Sequence, residues 1–279
     1  MIKQLLTTAF LALLLAGCQP AKSNAGTVPT DTASSTIENG GVDAANMETG
    51  TDKPCPKEPF FQVGEVTVWK IPGKDAFFFE AGMRIDADGA PDAYHPDDIG
   101  TDWLANAGRP GHWWALATDN GRMDGNPVIQ GPDDPNPGYY VSKTTLEDLT
   151  KEPGDPRRYV NSNEIPYFVL PPGSGGGAKP GDFGVVINLK NQKMSFAIYA
   201  DKGPRNQIGE GSIALAKALG IPSDPKRGGT SDGVWYLVFP NSGNRKPRTL
   251  AEINGHGQRL FDAWDGKTQW KACLENQGR

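Results

Sequence analysis

The chain has 279 residues, with 28 Lys or Arg residues against 33 Asp or Glu residues. Its formal charge of −5 is too small to identify a charged partner, and we predict no nucleic-acid partner. The length suits one large β-rich domain without internal repeats rather than several domains in a row.

The first 18 residues have the pattern of a bacterial lipoprotein signal peptide. A charged start at Lys3 precedes the apolar run Leu5–Leu15, which is too short to span a bilayer permanently. The segment ends in Leu-Ala-Gly-Cys, which resembles a lipoprotein box, so we expect residues 1–18 to be the signal peptide and Cys18 to carry the lipid. An ordinary secretory signal with a chance cysteine is the alternative.

Residues 19–53 consist mainly of Ser, Thr, Ala, Asn, Gly and Asp, which bury too little apolar surface to offset the entropy of ordering. We predict a flexible linker here, followed by a folded domain over residues 54–279. The residue after the lipid-bearing cysteine is Gln19, whereas an Asp at that position is associated with retention of a lipoprotein in the inner membrane. We therefore expect an exported protein that its lipid holds at the outer membrane or the cell surface.

Two cysteines remain for the domain, one near each end. In an exported protein, Cys55 and Cys273 are expected to form a disulfide, and two free thiols are the alternative. Pairing removes any thiol nucleophile. The sequence also lacks a His pair at metal-ligand spacing, a G-x-S-x-G elbow and a Walker loop. Zinc-hydrolase, serine-hydrolase and nucleotide-dependent functions thus lose their usual support, and we predict no cofactor.

Short β-like segments near the start of the domain lead into a group of acids. The segments are EVTVWKI, AFFFEAG and MRIDADG. The acids are Asp86, Asp88, Asp92, Asp97 and Asp98. Closely spaced aspartates can coordinate calcium, but the ligand spacing of an EF-hand is missing, and each can instead be a solvated acid or part of an Asx turn. We favour a negatively charged groove and predict no metal.

The loop-rich region that follows is aromatic, with Trp103, Trp113, Trp114, Tyr139 and Tyr140. Flat aromatic faces often lie under sugar rings in carbohydrate clefts, although single tryptophans more often belong to a core. Further along the chain, we predict strands at 165–171 and 233–240 and an amphipathic helix at 249–264.

The central part of the chain brings two carboxylates close together in sequence. Two predicted strands, Phe183–Leu189 and Met194–Ala200, flank a polar turn, and the second strand ends at Asp201. A Gly-Pro loop then leads to Glu210 at the entrance of a predicted helix that Gly220 closes. Asp201 shares a strand face with small and mixed side chains, which suits a cleft wall. The alternative is that both acids are solvated loop residues.

Seven segments carry a family resemblance. They are RIDADG, ALATDNG, YYVSKTTL, EIPYFVLP, GDFGVV, AIYADKGPRNQIGEGSIALAKALG and GVWYLVF. Together they resemble glycoside hydrolase family 75, the chitosanases, over nearly all of residues 60–240. Asp201 and Glu210 match the essential acid pair of that family. Unlike the fungal members, this chain has Ala87 and no cysteine beside the aspartate group, and a lipid anchor is also a departure.

The resemblance implies endo-hydrolysis of β-1,4-linked glucosamine chains by the domain at 54–279, with inversion at the anomeric carbon. Such a reaction needs one carboxylic acid to protonate the departing oxygen and one carboxylate to activate water. We expect Glu210 to be the acid and Asp201 the base, although a helix beginning at Glu210 would favour its ionised form. The residues expected to bind the polycationic substrate are Asp86, Asp88, Asp92, Asp119, Tyr199 and Lys202.

By analogy with other glycan-acting folds, we expect a mostly β domain: a small six-stranded β-barrel, with a double-psi barrel as the first choice, carrying long loops and two α-helices. Two other functions stay open. One is a hydrolase with the same acid pair that cleaves peptidoglycan or partly acetylated chitin. The other is a non-catalytic glycan-binding lipoprotein. In each case the partners are a polysaccharide and, through the lipid, a membrane, and we expect a monomer.

Overall fold

The computed structural model describes residues 42–43, 55–173 and 175–275. The predicted signal peptide with Cys18, and the predicted linker apart from residues 42–43, lie outside these ranges. Within them, no helix is both long enough and apolar enough to span a bilayer.

The described chain is mostly β. In chain order, the strands are β1 Val42–Asp43, β2 Glu58–Val63, β3 Val66–Lys70, β4 Phe77–Asp86, β5 Gly108–Arg109, β6 His112–Trp113, β7 Tyr167–Leu170, β8 Phe183–Asn188, β9 Lys193–Lys202, β10 Glu210–Ser212 and β11 Thr230–Val238. The α-helices are α1 Leu104–Ala107, α2 Ile213–Ala218, α3 Leu250–Ala263 and α4 Gly266–Glu275, and a 3₁₀ helix covers Pro156–Arg158.

Six of the strands form a closed barrel. Their order is β10, β7, β9, β8, β11 and β4, and β4 pairs with β10 to complete the ring. The pairs β7–β9 and β10–β4 are parallel, and the other pairs are antiparallel. The predicted six-stranded barrel is therefore confirmed, whereas its double-psi form stays a prediction. Closure pairs β10 with β4, which protects these barrel edges from pairing with other chains, and β3 and β2 continue the sheet beyond β4.

Alternation along the strands separates two apolar layers. On β4, Phe77 and Phe79 belong to the layer that fills the barrel, whereas Phe78 belongs to the layer outside it. The outer layer includes Ile253 and Phe261 of α3, so this helix covers the outside of the barrel. Each fully buried side chain of this kind contributes roughly 1.5–3 kcal/mol to the free energy of folding.

Several elements differ from the sequence-based expectation. The segments AFFFEAG and MRIDADG form one strand, β4, and the chain does not turn at Gly82 between them. Glycine is needed there because β11 comes close: a Cβ on Gly82 would lie 2.4 Å from the carbonyl oxygen of Thr230. The two predicted helices correspond to α2 and α3, and the structure adds α1 and α4. The disulfide between Cys55 and Cys273 is confirmed, and it joins the start of the described domain to α4 across 218 residues.

Candidate active site

A groove with a volume of about 640 Å³ opens where β4, β9 and β10 come together. Because β10 runs parallel to β4, Glu210 lies beside Arg84 and Ser212 lies beside Asp86. Strand β7 pairs with both β9 and β10, which brings Asp201 to the same region. Five of the residues that the sequence singled out line this groove: Asp86, Asp88, Asp201, Lys202 and Glu210.

Asp201 is held by Thr145. As predicted from strand alternation, it follows Ala197 and Tyr199 of the inner layer on β9, and it is buried. The backbone N–H and the Oγ1 hydroxyl of Thr145 both donate to Oδ1 of Asp201, at 2.8 and 2.7 Å. Burial raises the pKa of Asp201, and the Thr145 hydrogen bonds act in the opposite direction because they favour the ionised form. Asp201 is thus equipped to carry charge and to accept a proton.

Glu210 is the first residue of β10 and does not lie at the start of a helix. Helix α2 begins at Ile213, and its N-cap is Ser212, whose Oγ accepts a hydrogen bond from the backbone N–H of Leu215. The expectation of a helix entrance at Glu210 is therefore wrong, because a short strand intervenes. The helix dipole falls off within its first turn, so the argument against Glu210 as the acid loses its basis.

The surroundings of Glu210 favour its protonated form. Burial raises the pKa of Glu210 to about 7, and the charges of Asp201 and Asp102 act in the same direction. The positive charge of Arg84, its neighbour on β4, lowers the pKa and so limits the shift. A carboxyl group that titrates near neutral pH can serve as a general acid.

Asp86, Asp88 and Asp201 form a compact carboxylate cluster. One oxygen from each lies within 4.8 Å of those from the other two. The backbone N–H of Asp88 donates to Oδ1 of Asp86 at 2.8 Å, and the hydroxyl of Tyr94 donates to Oδ1 of Asp88 at 2.7 Å. Burial, followed by repulsion from the neighbouring acids, raises the pKa of Asp86 and of Asp88 well above the ordinary value. Three such carboxylates can also hold a hard divalent cation, which the sequence does not predict.

Two predicted substrate-binding acids lie outside the groove because local structure uses them as acceptors. Asp92 accepts hydrogen bonds from Oγ1 of Thr101 at 3.0 Å and from Nδ2 of Asn163 at 2.6 Å. Asp119 accepts from the backbone N–H and from Nδ2 of Asn126, at 3.0 and 2.9 Å, in an exposed turn. The four aspartates predicted to bind substrate are therefore divided: Asp86 and Asp88 line the groove, whereas Asp92 and Asp119 stabilise loops.

The aromatic residues are divided in the same way. Tyr199, which was also predicted to bind substrate, is buried in the inner layer, where its ring stacks on Phe168 at 5.9 Å. Trp113 belongs to the core, whereas Trp103 and Trp114 are each 46% exposed, and Trp114 lines the groove. Of these three tryptophans, Trp113 has the core position and Trp114 the exposed face in the groove that the sequence left open as alternatives.

Sequence reasoning missed several residues that line the groove: Arg84, Tyr94, Asp102, Asn106, Gln207, Lys226 and Arg227. Arg84 lies inside the RIDADG segment, so the family resemblance was a signal for it. The others come from loops and from α1, where no periodicity marks one side chain above its neighbours.

A family model described as fungal chitosanase of glycosyl hydrolase group 75 matches residues 136–264. This region is similar to glycoside hydrolase family 75. The family 75 match includes Thr145, Asp201 and Glu210, whereas Asp86 and Asp88 precede it. No curated protein matches the chain. The similarity to family 75 supports a glycoside hydrolase of the chitosanase type, with a polysaccharide as its substrate.

Proposed function

We propose that this protein is an endo-acting glycoside hydrolase that cleaves the β-1,4 linkages of glucosamine chains with inversion at the anomeric carbon. The observation that carries the proposal is that Asp201 and Glu210, at the two ends of one loop, open into the same groove. Gly203 of that loop keeps the space beside the acid free, since a Cβ there would lie 3.1 Å from Oε2 of Glu210.

In this mechanism Glu210 protonates the glycosidic oxygen while the bond between that oxygen and the anomeric carbon breaks. Asp201 takes a proton from a water molecule, and the oxygen of that water bonds to the anomeric carbon from the opposite face. The product therefore has the inverted configuration. Inversion requires the two carboxyl groups to be roughly 6.5–9.5 Å apart, so that the water fits between Asp201 and the sugar.

The different surroundings of the two carboxyl groups support this division of roles. Thr145 directs two donors at Asp201, whereas no hydrogen-bond donor in the described part of the chain reaches the carboxyl group of Glu210. The pKa of Asp86 and of Asp88 is raised well above the ordinary value although each accepts a hydrogen bond, because repulsion from neighbouring acids adds to their burial. For Asp201, burial is opposed mainly by the hydrogen bonds from Thr145. Asp201 is thus the member of the cluster best suited to be ionised.

The aromatic wall of the groove also supports a sugar substrate. The indole N–H of Trp114 donates to the backbone oxygen of Asn106 at 2.8 Å, which fixes the ring while leaving the side chain 46% exposed. A fixed, flat aromatic face in a groove suits stacking against the apolar face of a sugar ring.

The test is a reducing-end assay on fully deacetylated chitosan, with the first-formed anomer followed by NMR. We expect α-anomers from the β-linkage, and we expect Asp201→Asn and Glu210→Gln each to lower kcat by roughly 10²–10⁴-fold with the fold intact. Asp262→Asn, on α3 outside the groove, is the control with normal turnover. Initial β-anomers would refute inversion, and a wild-type protein that releases no reducing ends would refute the hydrolase.

We further infer that the enzyme is exported and attached to a bacterial outer membrane or cell surface through a lipid on Cys18. The support is the Leu-Ala-Gly-Cys sequence after an apolar run. Metabolic labelling with a radioactive fatty acid is expected to mark the wild-type protein and not Cys18→Ser. Equal labelling of the wild type and of Cys18→Ser would refute a lipid anchor on Cys18.

A further inference from the structure

The groove contains cations as well as acids. Arg84, Lys202, Lys226 and Arg227 all line it, together with the five carboxyl groups of Asp86, Asp88, Asp102, Asp201 and Glu210. In the part of the chain that the structure describes, none of these four cations forms an ion pair with a carboxylate. Three of them, Arg84, Lys202 and Arg227, are exposed. Arg84 donates one hydrogen bond to Oε1 of Gln207, and its guanidinium has further N–H groups for a charged group on a ligand.

Backbone contacts bring two of these cations to one wall. Strand β11 pairs with β4 at Thr230 and Met83, and the chain before it continues along β4. A Cβ at Gly229 would lie only 2.3 Å from the carbonyl oxygen of Met83 and 3.6 Å from Cα of Arg84. The segment that carries Arg227 is therefore packed directly against the strand that carries Arg84, beside Glu210.

Lys226, the neighbour of Arg227 in sequence, contacts a second loop beside the groove. Its Nζ donates to the backbone oxygen of Gly100 at 2.7 Å and lies 4.3 Å from the centre of the Trp103 ring. These contacts attach the loop that carries Arg227 to the loop that carries Asp102. The backbone that carries Arg227 is therefore held by contacts of Lys226 on one side and of Gly229 on the other.

The acids do not cancel these positive charges. None of the carboxylates that line the groove lies within ion-pairing distance of these four cations in the described part of the chain. The side chains of Arg84, Lys202 and Arg227 therefore add exposed positive charge to the groove. The groove is thus a less favourable site for a uniformly cationic chain than its number of acidic residues indicates.

We propose that Arg84 and Arg227, with Lys202 and Lys226 as further cations, bind a carboxylate that the substrate carries on a sugar near the cleaved linkage. This inference rests on the proposed function, since it names the class of polymer that the same groove takes: an amino-sugar polymer that also bears carboxylates. Guanidinium groups suit this task because their planar donors match the two oxygens of a carboxylate.

The test compares the affinity of the full chain for three tetrasaccharides by calorimetry. One is the neutral tetramer of N-acetylglucosamine. The second alternates N-acetylglucosamine with N-acetylmuramic acid, and the third alternates it with glucuronic acid, so these two carry the carboxylate on a lactyl ether or on the sugar ring. We expect at least one of the acidic ligands to bind about fivefold or more tightly than the neutral one, with a preference that shrinks as salt is added.

Arg227→Met is expected to reduce that preference to less than twofold, whereas Arg259→Met, an arginine substitution on α3 outside the groove, preserves it. Equal binding of all three ligands by the wild type, or an unchanged preference in Arg227→Met, would overturn the carboxylate site. Its failure is distinguishable from that of the proposed function: chitosan cleavage without a preference for acidic ligands refutes only the carboxylate site, and acidic preference without any cleavage refutes only the hydrolase.

Discussion

Thr145 and Asp201 are joined by two hydrogen bonds to one oxygen: the backbone N–H and the Oγ1 hydroxyl of Thr145 both donate to Oδ1 of Asp201. The two residues are far apart in sequence. Leu146, which follows Thr145 in the same loop, donates its backbone N–H to the carbonyl oxygen of Ala200, which precedes Asp201. The strand end and the loop are thus fixed to each other at the proposed base. This contact stabilises the charge that a base must carry.

Thr145→Val removes the hydroxyl donor and keeps the backbone donor. Because the ionised form of Asp201 loses one hydrogen bond, its pKa rises, and we expect kcat to fall by about tenfold while the acidic limb of the pH profile moves to higher pH. The control is Thr150→Val, since the backbone N–H and Oγ1 of Thr150 make the same two contacts with Oδ1 of Asp148 outside the groove. An unshifted acidic limb in Thr145→Val would argue that Asp201 is not the base.

The alkaline limb of kcat/KM is expected near pH 7, because a general acid works only while protonated and burial raises the pKa of Glu210 to about 7. Arg84 lowers that pKa, so Arg84→Met is expected to move the limb to higher pH, and Arg84→Lys, which keeps the charge, to leave it close to the wild-type position. The difference between the two variants should diminish in high salt, since Arg84 is exposed. Coincident limbs for wild type and Arg84→Met at low salt would exclude Glu210 as the group that titrates there.

Asp86→Asn is expected to stabilise the fold at alkaline pH. The pKa of Asp86 is raised in the folded state, so its contribution to stability is complete below about pH 4 and is lost as pH rises toward the folded-state value. Asn cannot ionise, and its Oδ1 can still accept from the backbone N–H of Asp88. We expect the urea midpoint of the variant to exceed that of the wild type at pH 8 by the equivalent of about 1–3 kcal/mol, and by less at pH 4.

Asp119→Asn provides a control of opposite sign for that experiment. Hydrogen bonds from the side chain and then the backbone of Asn126 lower the pKa of Asp119, so its contribution to stability is present above about pH 4 and lost as pH falls through the folded-state value. Its replacement is expected to destabilise the protein at pH 8 and to have no effect at low pH. An Asp86→Asn variant that follows the same pattern as Asp119→Asn would contradict the buried, protonated state of Asp86.

Replacing both Cys55 and Cys273 by Ala is expected to lower the free energy of unfolding by about 2–5 kcal/mol, because the disulfide closes a long loop and so restricts the unfolded chain. Urea unfolding of the double variant measures the loss, and treatment of the wild type with a reducing agent should reproduce it. Equal midpoints for oxidised wild type and double variant would mean that α4 is held by its packing alone. Turnover on chitosan is expected to stay unchanged while the fold persists, since neither cysteine lines the groove.

The sequence predicted the barrel strands well where apolar residues are continuous or alternate. Strands β8 and β9, the turn between them and helix α3 all agree with the predicted segments, because the strands are buried along almost their whole length, the helix buries one face, and all carry local stop signals. The sequence predicted that α2 begins at Glu210, whereas it begins at Ile213. The prediction missed strand β10 because this strand has only three residues and no periodicity of its own. Its pairing with β4 and β7 comes from distant parts of the chain.

The acid pair was also accessible from sequence, because Asp201 and Glu210 lie at the two ends of a single loop. The sequence by itself determined these two acids, the disulfide and a β domain with a family 75 region, since each depends on residue type and local order along the chain. Only the tertiary structure decided which aspartates join the pair, why Thr145 holds Asp201, and that Arg84 and Arg227 share the groove. Those contacts arise from barrel closure and from loops packed against distant strands, and the physical reason is that neither the pairing register nor the contacts between distant segments are encoded in a local pattern.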